Sequence, residues 1–323
     1  MMRPPTPPPT ARDLTGLVHL RRDLLASGMS DTHIDCLVRT KVLRRIRYGA
    51  YVTADVWESC SSEDRHRLLA RAVLARAHEA TVLTHATSVV ERGVPVWGFP
   101  LDVVHTTREH PERAGRRQQD WVPHRGVLTP DDVEVVNGVL VSSAARSAFE
   151  VTTVAGVEAA LVVVNRLLHA GAMSLEDFAA QVEEHRSWPG SLTAHVVLRL
   201  ADGRLESVGE DRFSHVAYLY GLPRPEPQVV VRDEWGNVVA RLDFAWPELE
   251  VFLEFDGRAK YERHRLPGES LDEFLMREKK RQELVCLLTG WVCLRVTWAD
   301  LDRPELLATR IRRVLAGRGL KRG

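Results

Sequence analysis

The stretch RLDFAWPELEVFLEFDGRAKY, residues 241–261, carries most of the information in this chain. Alternation places Leu242 and Phe244 on one face of a first strand and Asp243 on the other. It places Val251, Leu253 and Phe255 on one face of a second strand, with Glu254 and Asp256 opposite. Pro247 is poor inside a ladder and good in a turn, so the hairpin turns around Trp246-Pro247-Glu248. That turn brings Asp243 near Glu254. Like charges facing each other destabilise a sheet, which makes sense if a cation sits between them. Hard dications such as Mg²⁺ use carboxylate oxygens and water, and a dication so held activates water and stabilises charge on a phosphate.

The flanking sequence frames this hairpin in regular elements. A helix is expected over about Leu205–Tyr220, with Phe213, Ala217 and Tyr220 as its inward stripe and Glu206 and Glu210 at the N-terminal end of that stripe. Gly221-Leu-Pro-Arg-Pro breaks it. Gln228–Arg232 reads as a strand and DEWGN (233–237) as a turn. Ser270-Leu-Asp-Glu273 is a capping box that opens a helix to about Leu288. Gly290 stops that helix, Val292–Val296 reads as a further strand, and a last helix comes after Pro304. The order is α-β-β-β-α-β-α.

The front of the chain differs in character. Leu20, Leu24 and Leu25 mark a helix ending at Ser27-Gly28. Ser30 caps a second helix carrying Ile34, Leu37 and Val38. VLRRIRYGAYVT (42–53) reads as two short strands turning at Tyr48-Gly49. Helix, turn, helix and a basic hairpin is the order of a winged helix-turn-helix. The excess of Arg39, Lys41, Arg44, Arg45 and Arg47 lies where a duplex would be touched. A structural or protein-contacting winged helix fits the same pattern.

Between the two, residues 57–202 read as an α+β segment. Helices are expected near Asp64–Ala80, Ser142–Val151, Val157–His169 and Leu175–Glu184, with strands near Leu101–Thr106 and Val133–Val141. Its histidines, His78, His85, His105, His110 and His124, lack the H-x-x-x-H spacing of a helical zinc site. Each reads singly as packed or solvated. The patch RAGRRQQ (113–119) reads as a solvated loop or a phosphate contact.

Bulk properties bound the rest. Lys+Arg and Asp+Glu number 44 each in 323 residues, so net charge argues neither for nor against nucleic acid. Cys36, Cys60, Cys286 and Cys293 form no C-x-x-C pair and read as reduced thiols of a cytoplasmic protein. No apolar stretch is long enough to span a bilayer. MMRPPTPPPTARD, residues 1–13, reads as a Pro-rich disordered tail. The expected domains are therefore 14–56, 57–202 and 203–323.

Two resemblances emerge from these pieces. ESVGEDRF (206–213), LDFAWPE (242–248), LEFDGRAKY (253–261) and EKKRQELVCLLTGWVCLRVTWADL (278–301) together resemble the PD-(D/E)XK nuclease superfamily, in its branch similar to very-short-patch repair endonucleases. The resemblance implies an αβββαβ restriction-endonuclease-like domain and Mg²⁺- or Mn²⁺-dependent DNA cleavage. It makes Asp243 and Glu254 metal ligands and Glu210, with Glu206 as the second choice, the helix acid that completes the metal environment. The superfamily's lysine normally lies two residues after the second acid, and here that position is Asp256. Asp256 is then a candidate third ligand. Lys260, Lys279 or Lys280 becomes the candidate lysine, with Lys260 chosen, and Arg277, Lys280 and Arg281 are candidate backbone contacts. LRRDLLASGMSDTHIDCLVRTKVLRRIRYGAYV (20–52) and VNGVLVSSAARSAFEV (136–151) resemble AbiEi-type antitoxins of type IV toxin–antitoxin systems. That resemblance implies promoter DNA and a cognate toxin as partners. It leaves open a repressor whose nuclease-like domain only binds DNA.

Overall fold

Short helices and strands open the described part of the chain. The computed structural model describes residues 12–77, 80–108, 117–256 and 268–319. The Pro-rich residues 1–11, His78, His110, Lys260 and residues 113–116 of the basic patch lie outside the described residues. The first elements are β1 (His19–Leu20), α1 (Arg21–Ala26), α2 (Asp31–Arg39), β2 (Leu43–Arg47) and β3 (Ala50–Thr53). The Ser30 hydroxyl accepts the His33 N–H and starts α2. The strands form a sheet in the order β1-β3-β2, and Ile34, Leu43 and Tyr51 form its core with α2.

The remaining apolar groups of this sheet pack beyond it. After α3 (Ala54–Ser59), α4 (Ser62–Leu74) offers Leu68 to Leu14 and Val52, and Ala72 to Leu20 and Ala50. Segments 14–56 and 57–199 thus lie in one compact unit, Met1–Arg199.

That unit holds a second sheet, built from β4 (Thr81–Leu83), α5 (His85–Glu91), β5 (Val104–Arg108), β6 (Trp121–His124), β7 (Val133–Val136) and β8 (Val139–Ser142), with α6 (Ala144–Val154), α7 (Val157–His169), α8 (Leu175–Glu184) and α9 (Ser191–Leu200) after it. Strand order is β6-β5-β4-β8-β7. The expected strand over Val133–Val141 is a hairpin, because Asn137 and Gly138 both take positive φ, at 48° and 76°. The expected helix over 64–80 stops at Leu74. Strand β4 and helix α5, which carry no distinct periodicity in the sequence, come after it. The buried carboxylate of Glu91 holds this part together. It lies 2.8 Å from Arg71 and 3.4 Å from Arg67, and it accepts the Asn137 side-chain amide.

The second unit, Leu200–Gly323, carries α10 (Val208–Leu219), β9 (Glu226–Arg232), β10 (Val238–Trp246), β11 (Val251–Asp256), α11 (Leu271–Thr289), β12 (Val292–Thr297), α12 (Trp298–Leu301) and α13 (Pro304–Gly317). Helix α11 opens at the expected Ser270/Glu273 capping box and closes at Gly290, φ 70°. It crosses over from β11 to its parallel neighbour β12, in a sheet ordered β12-β11-β10-β9. One face packs Phe244, Val251, Leu253 and Phe255 against Phe213 of α10 and Leu307 and Ile311 of α13. The other packs Val231, Ala240, Leu242 and Phe252 against Val285 of α11. Leu242 and Phe244 therefore lie on opposite faces, not on the same face as strict alternation requires. The alternation slips at Asp243. Its neighbour across β9 is Gln228, held in a left-handed backbone at φ 58°. Across the described residues the chain is a mixed α/β protein with three sheets. Among the described residues no helix is long and apolar enough to cross a membrane.

Candidate metal and nucleic-acid site

The slip at Asp243 creates the site. The β10–β11 ladder pairs Phe244 with Leu253 and ends there, so the next position sets Asp243 across from Glu254. Beyond that point the Asp243 Oδ2 carboxylate oxygen accepts the Phe255 N–H at 2.7 Å. A side chain thus replaces the backbone acceptor, and the two acids face each other where the strands part. Both are buried, at 8% and 7% exposure, inside a largely apolar unit. Burying two facing carboxylates is costly unless cations or hydrogen bonds compensate.

Helix α11 supplies one cation. Arg281 Nη2 lies 3.4 Å from Glu254 Oε2 and 2.9 Å from Glu278 Oε2. Burial pulls the guanidinium pKa down, while Glu254 and Glu278 outweigh that effect and leave it raised. Among the described residues the buried Nε–H of Arg281 has no acceptor. The expected backbone contact Arg281 therefore points into the acid site. Arg277 pairs with Glu269 at 2.8 Å. Lys279 and Lys280 are exposed on α11, and Lys279 lies 3.9 Å from Glu283.

Glu210 sits at the start of α10, which begins at Val208 because Ser207 is its cap. Its carboxylate is buried and accepts from Ser207 Oγ, from the Glu206 N–H and from Gln228 Nε2, at 2.6, 2.9 and 2.9 Å. Gln228 is the residue opposite Asp243, so Glu210 is tied to the site through it. Glu206 instead lies 2.6 Å from Arg241. Asp256 pairs with Arg295 at 2.8 Å. Among the described residues, no three carboxylates bring one oxygen each within 4.8 Å of one another. The geometry therefore offers a facing pair, Asp243 and Glu254, with Glu210 and Asp256 held by other partners. Next to them, burial, with Glu254 second, pushes the Cys293 thiol up to about 12.

The basic residues of the first unit divide. Arg39 at the end of α2, Lys41 in the turn after it, and Arg44 and Arg45 on β2 are exposed. Arg44 lies over the Trp57 ring at 5.0 Å. Arg47, expected beside them, is turned inward: its side chain is 6% exposed, lies 3.2 Å from Asp120 and donates to Gln118. A buried, paired guanidinium cannot meet a duplex without leaving those partners.

A second cluster was not visible in the sequence. His85 at the start of α5, His105 on β5 and His124 at the end of β6 each place a ring nitrogen within 4.8 Å of the other two. His105 Nδ1 and His124 Nε2 are 2.8 Å apart, and the His85 and His124 rings stack at 3.7 Å. His85 Nδ1 lies 2.9 Å from Thr84 Oγ1 and 3.8 Å from Glu150. Burial, then the neighbouring imidazoles, lowers the pKa of His105 to about 4 and of His124 to about 3; it holds His85 well below its ordinary value. The available signal was that each histidine adjoins a short strand, in TVLTH, VVHTT and WVPH.

A scan against models of known protein families returned no match. The uncharacterized protein Rv2248 of Mycobacterium tuberculosis strain H37Rv is 29% identical over 292 residues, covering 89% of this chain and 97% of that protein. The uncharacterized protein MT2308 of strain CDC 1551 of the same species matches to the same extent.

Proposed function

We propose that this protein is a divalent-metal-dependent DNA endonuclease. Its catalytic unit spans Leu200–Gly323, as in the PD-(D/E)XK superfamily, and residues 14–56 form a DNA-contacting winged helix. The carrying observation is the buried pair Asp243 and Glu254, which face each other where the β10–β11 ladder ends. Two hard carboxylates fit Mg²⁺ or Mn²⁺ as donors, and these two residues would hold the ion. Such an ion supplies Lewis acidity toward a phosphate oxygen and toward water. The chain's own groups do the rest. The Phe255 N–H fixes Asp243, and Gln228 and Ser207 fix Glu210, so the acids need little reorganisation. Arg281 takes the electrostatic role that the superfamily gives to a lysine: its guanidinium lies beside Glu254 and can donate to a phosphate oxygen as charge builds there. Arg281→Lys should retain part of the cleavage and Arg281→Ala should not, with the pH profile of cleavage displaced in both.

The test is incubation of supercoiled plasmid with the wild type and with Asp243→Asn in Mg²⁺ or Mn²⁺, with EDTA as control. Nicking or linearisation by the wild type alone supports the reading. Equal cleavage by both removes the site assignment.

A second reading is favoured by one observation, the exposed quartet Arg39, Lys41, Arg44 and Arg45, which is independent of the acids. It makes the chain an AbiEi-like repressor or antitoxin that binds DNA and a cognate toxin without cutting. Neutralising the quartet would then abolish function, and Asp243→Asn would leave it intact.

A further inference from the structure

The histidine cluster lies in the first unit and takes no part in the proposed cleavage. Three imidazoles from three separate elements converge there, with one ring nitrogen of each within 4.8 Å of the other two. His85 is buried and is held at φ 54°, a backbone region that residues with a Cβ rarely adopt. Strain of that kind persists only where the surroundings impose it. Here they do: the His85 N–H donates to Glu150 Oε2, and Glu150 is itself fixed by Arg146 and Ser142. The Thr84 hydroxyl meets His85 Nδ1 and leaves Nε2 to point elsewhere. Three neutral rings packed together share one hydrogen bond between them, His105 to His124. Hydrophobic burial alone is served better by apolar residues.

We propose that His85, His105 and His124 form a binding site for a borderline transition-metal dication, with Zn²⁺ the best match. Neutral imidazole is the ligand form, and three such nitrogens with an open fourth position are a recurrent zinc donor set. A hydrogen bond from each ligand's second nitrogen orients the ring, as Thr84 does for His85. On one zinc with Zn–N bonds of about 2.0–2.1 Å, tetrahedral nitrogens stand about 3.4 Å apart. Binding therefore replaces the 2.8 Å hydrogen bond between His105 and His124 and turns His124 off the His85 ring. This site differs in chemistry from the Asp243/Glu254 pair, which offers oxygen donors suited to harder ions.

The experiment is titration of Zn²⁺ alone into the EDTA-treated full chain, read by calorimetry and by thermal shift. One zinc per chain is expected, with a rise in melting temperature. It should be lost in His105→Gln and His124→Gln and retained in Asp243→Asn. Zinc K-edge absorption on the wild type, which needs no variant, should show nitrogen neighbours at about 2.0 Å. No stoichiometric zinc on the wild type, or undiminished zinc on a folded His105→Gln protein, overturns the proposal. So does a wild-type spectrum of oxygen neighbours alone.

Discussion

The acid pair of the second unit and the imidazole trio of the first are built by opposite routes. Asp243 and Glu254 are eleven residues apart on one hairpin, and a turn at Pro247 suffices to bring them together. His85, His105 and His124 meet only when β5, β6 and α5 assemble. The acids carry charge into a protein interior, while the histidines are kept neutral there by burial. Buried ionic groups serving stability look different: Glu91 is enclosed by Arg67, Arg71 and Asn137 with its oxygens satisfied.

The largest expected effect separates a chemical acid from a structural one. Asp243→Asn should lower plasmid cleavage on the order of a thousandfold, the several kcal/mol that a held metal contributes to the transition state. The same variant should keep or raise the melting temperature, because one of two facing charges is removed. Glu91→Gln should do the reverse and destabilise the first unit by about 3–5 kcal/mol, since two nearly buried guanidinium groups lose their carboxylate. Denaturant unfolding of both variants checks this contrast, and equal destabilisation would erase it.

A packing change comes next. A Cβ on Gly209 would stand 2.1 Å from the Phe255 ring. Gly209→Ala should cost about 1–3 kcal/mol through overpacking. It should also weaken cleavage, because Phe255 supplies the N–H that fixes Asp243. Cleavage unchanged at full stability would break the link between core and site.

The smallest effect is on acid sensitivity. Burial lowers the pKa of His66, against the opposing pull of its hydrogen bond to the Leu101 carbonyl and of nearby Glu91. The unfolded chain takes up this proton below about pH 6.5 and the folded chain does so only at lower pH, so the stability linked to His66 is complete above pH 6.5 and is lost as pH falls. His66→Gln, which can keep hydrogen bonds to Leu101 and Thr87, should flatten that acid-side slope in urea midpoints measured from pH 7 to pH 5.

Much of the second unit was legible because its signals are local. The Ser270/Glu273 capping box, the stop at Gly290 and the Pro247 turn each act within a few residues. The slip at Asp243 was not legible, since it depends on Gln228, a residue with no intrinsic preference for positive φ. Arg281 was expected on the DNA-facing surface. Its 27-residue separation from Glu254 spans a crossover whose pitch the sequence does not state. The inward turn of Arg47 is of the same kind, decided by Asp120 and Gln118 far along the chain. The histidines show the limit most plainly: each looks ordinary alone, and the trio exists only in the assembled sheet.

The most direct measurement is a paired calorimetric titration of the EDTA-treated full chain with Mn²⁺ and with Zn²⁺, repeated on Asp243→Asn/Glu254→Gln and on His105→Gln. The acid variant is expected to lose Mn²⁺ and keep one Zn²⁺, and the histidine variant to do the opposite. Loss of both ions from either folded variant, or of neither from both, would contradict two chemically distinct sites in two units.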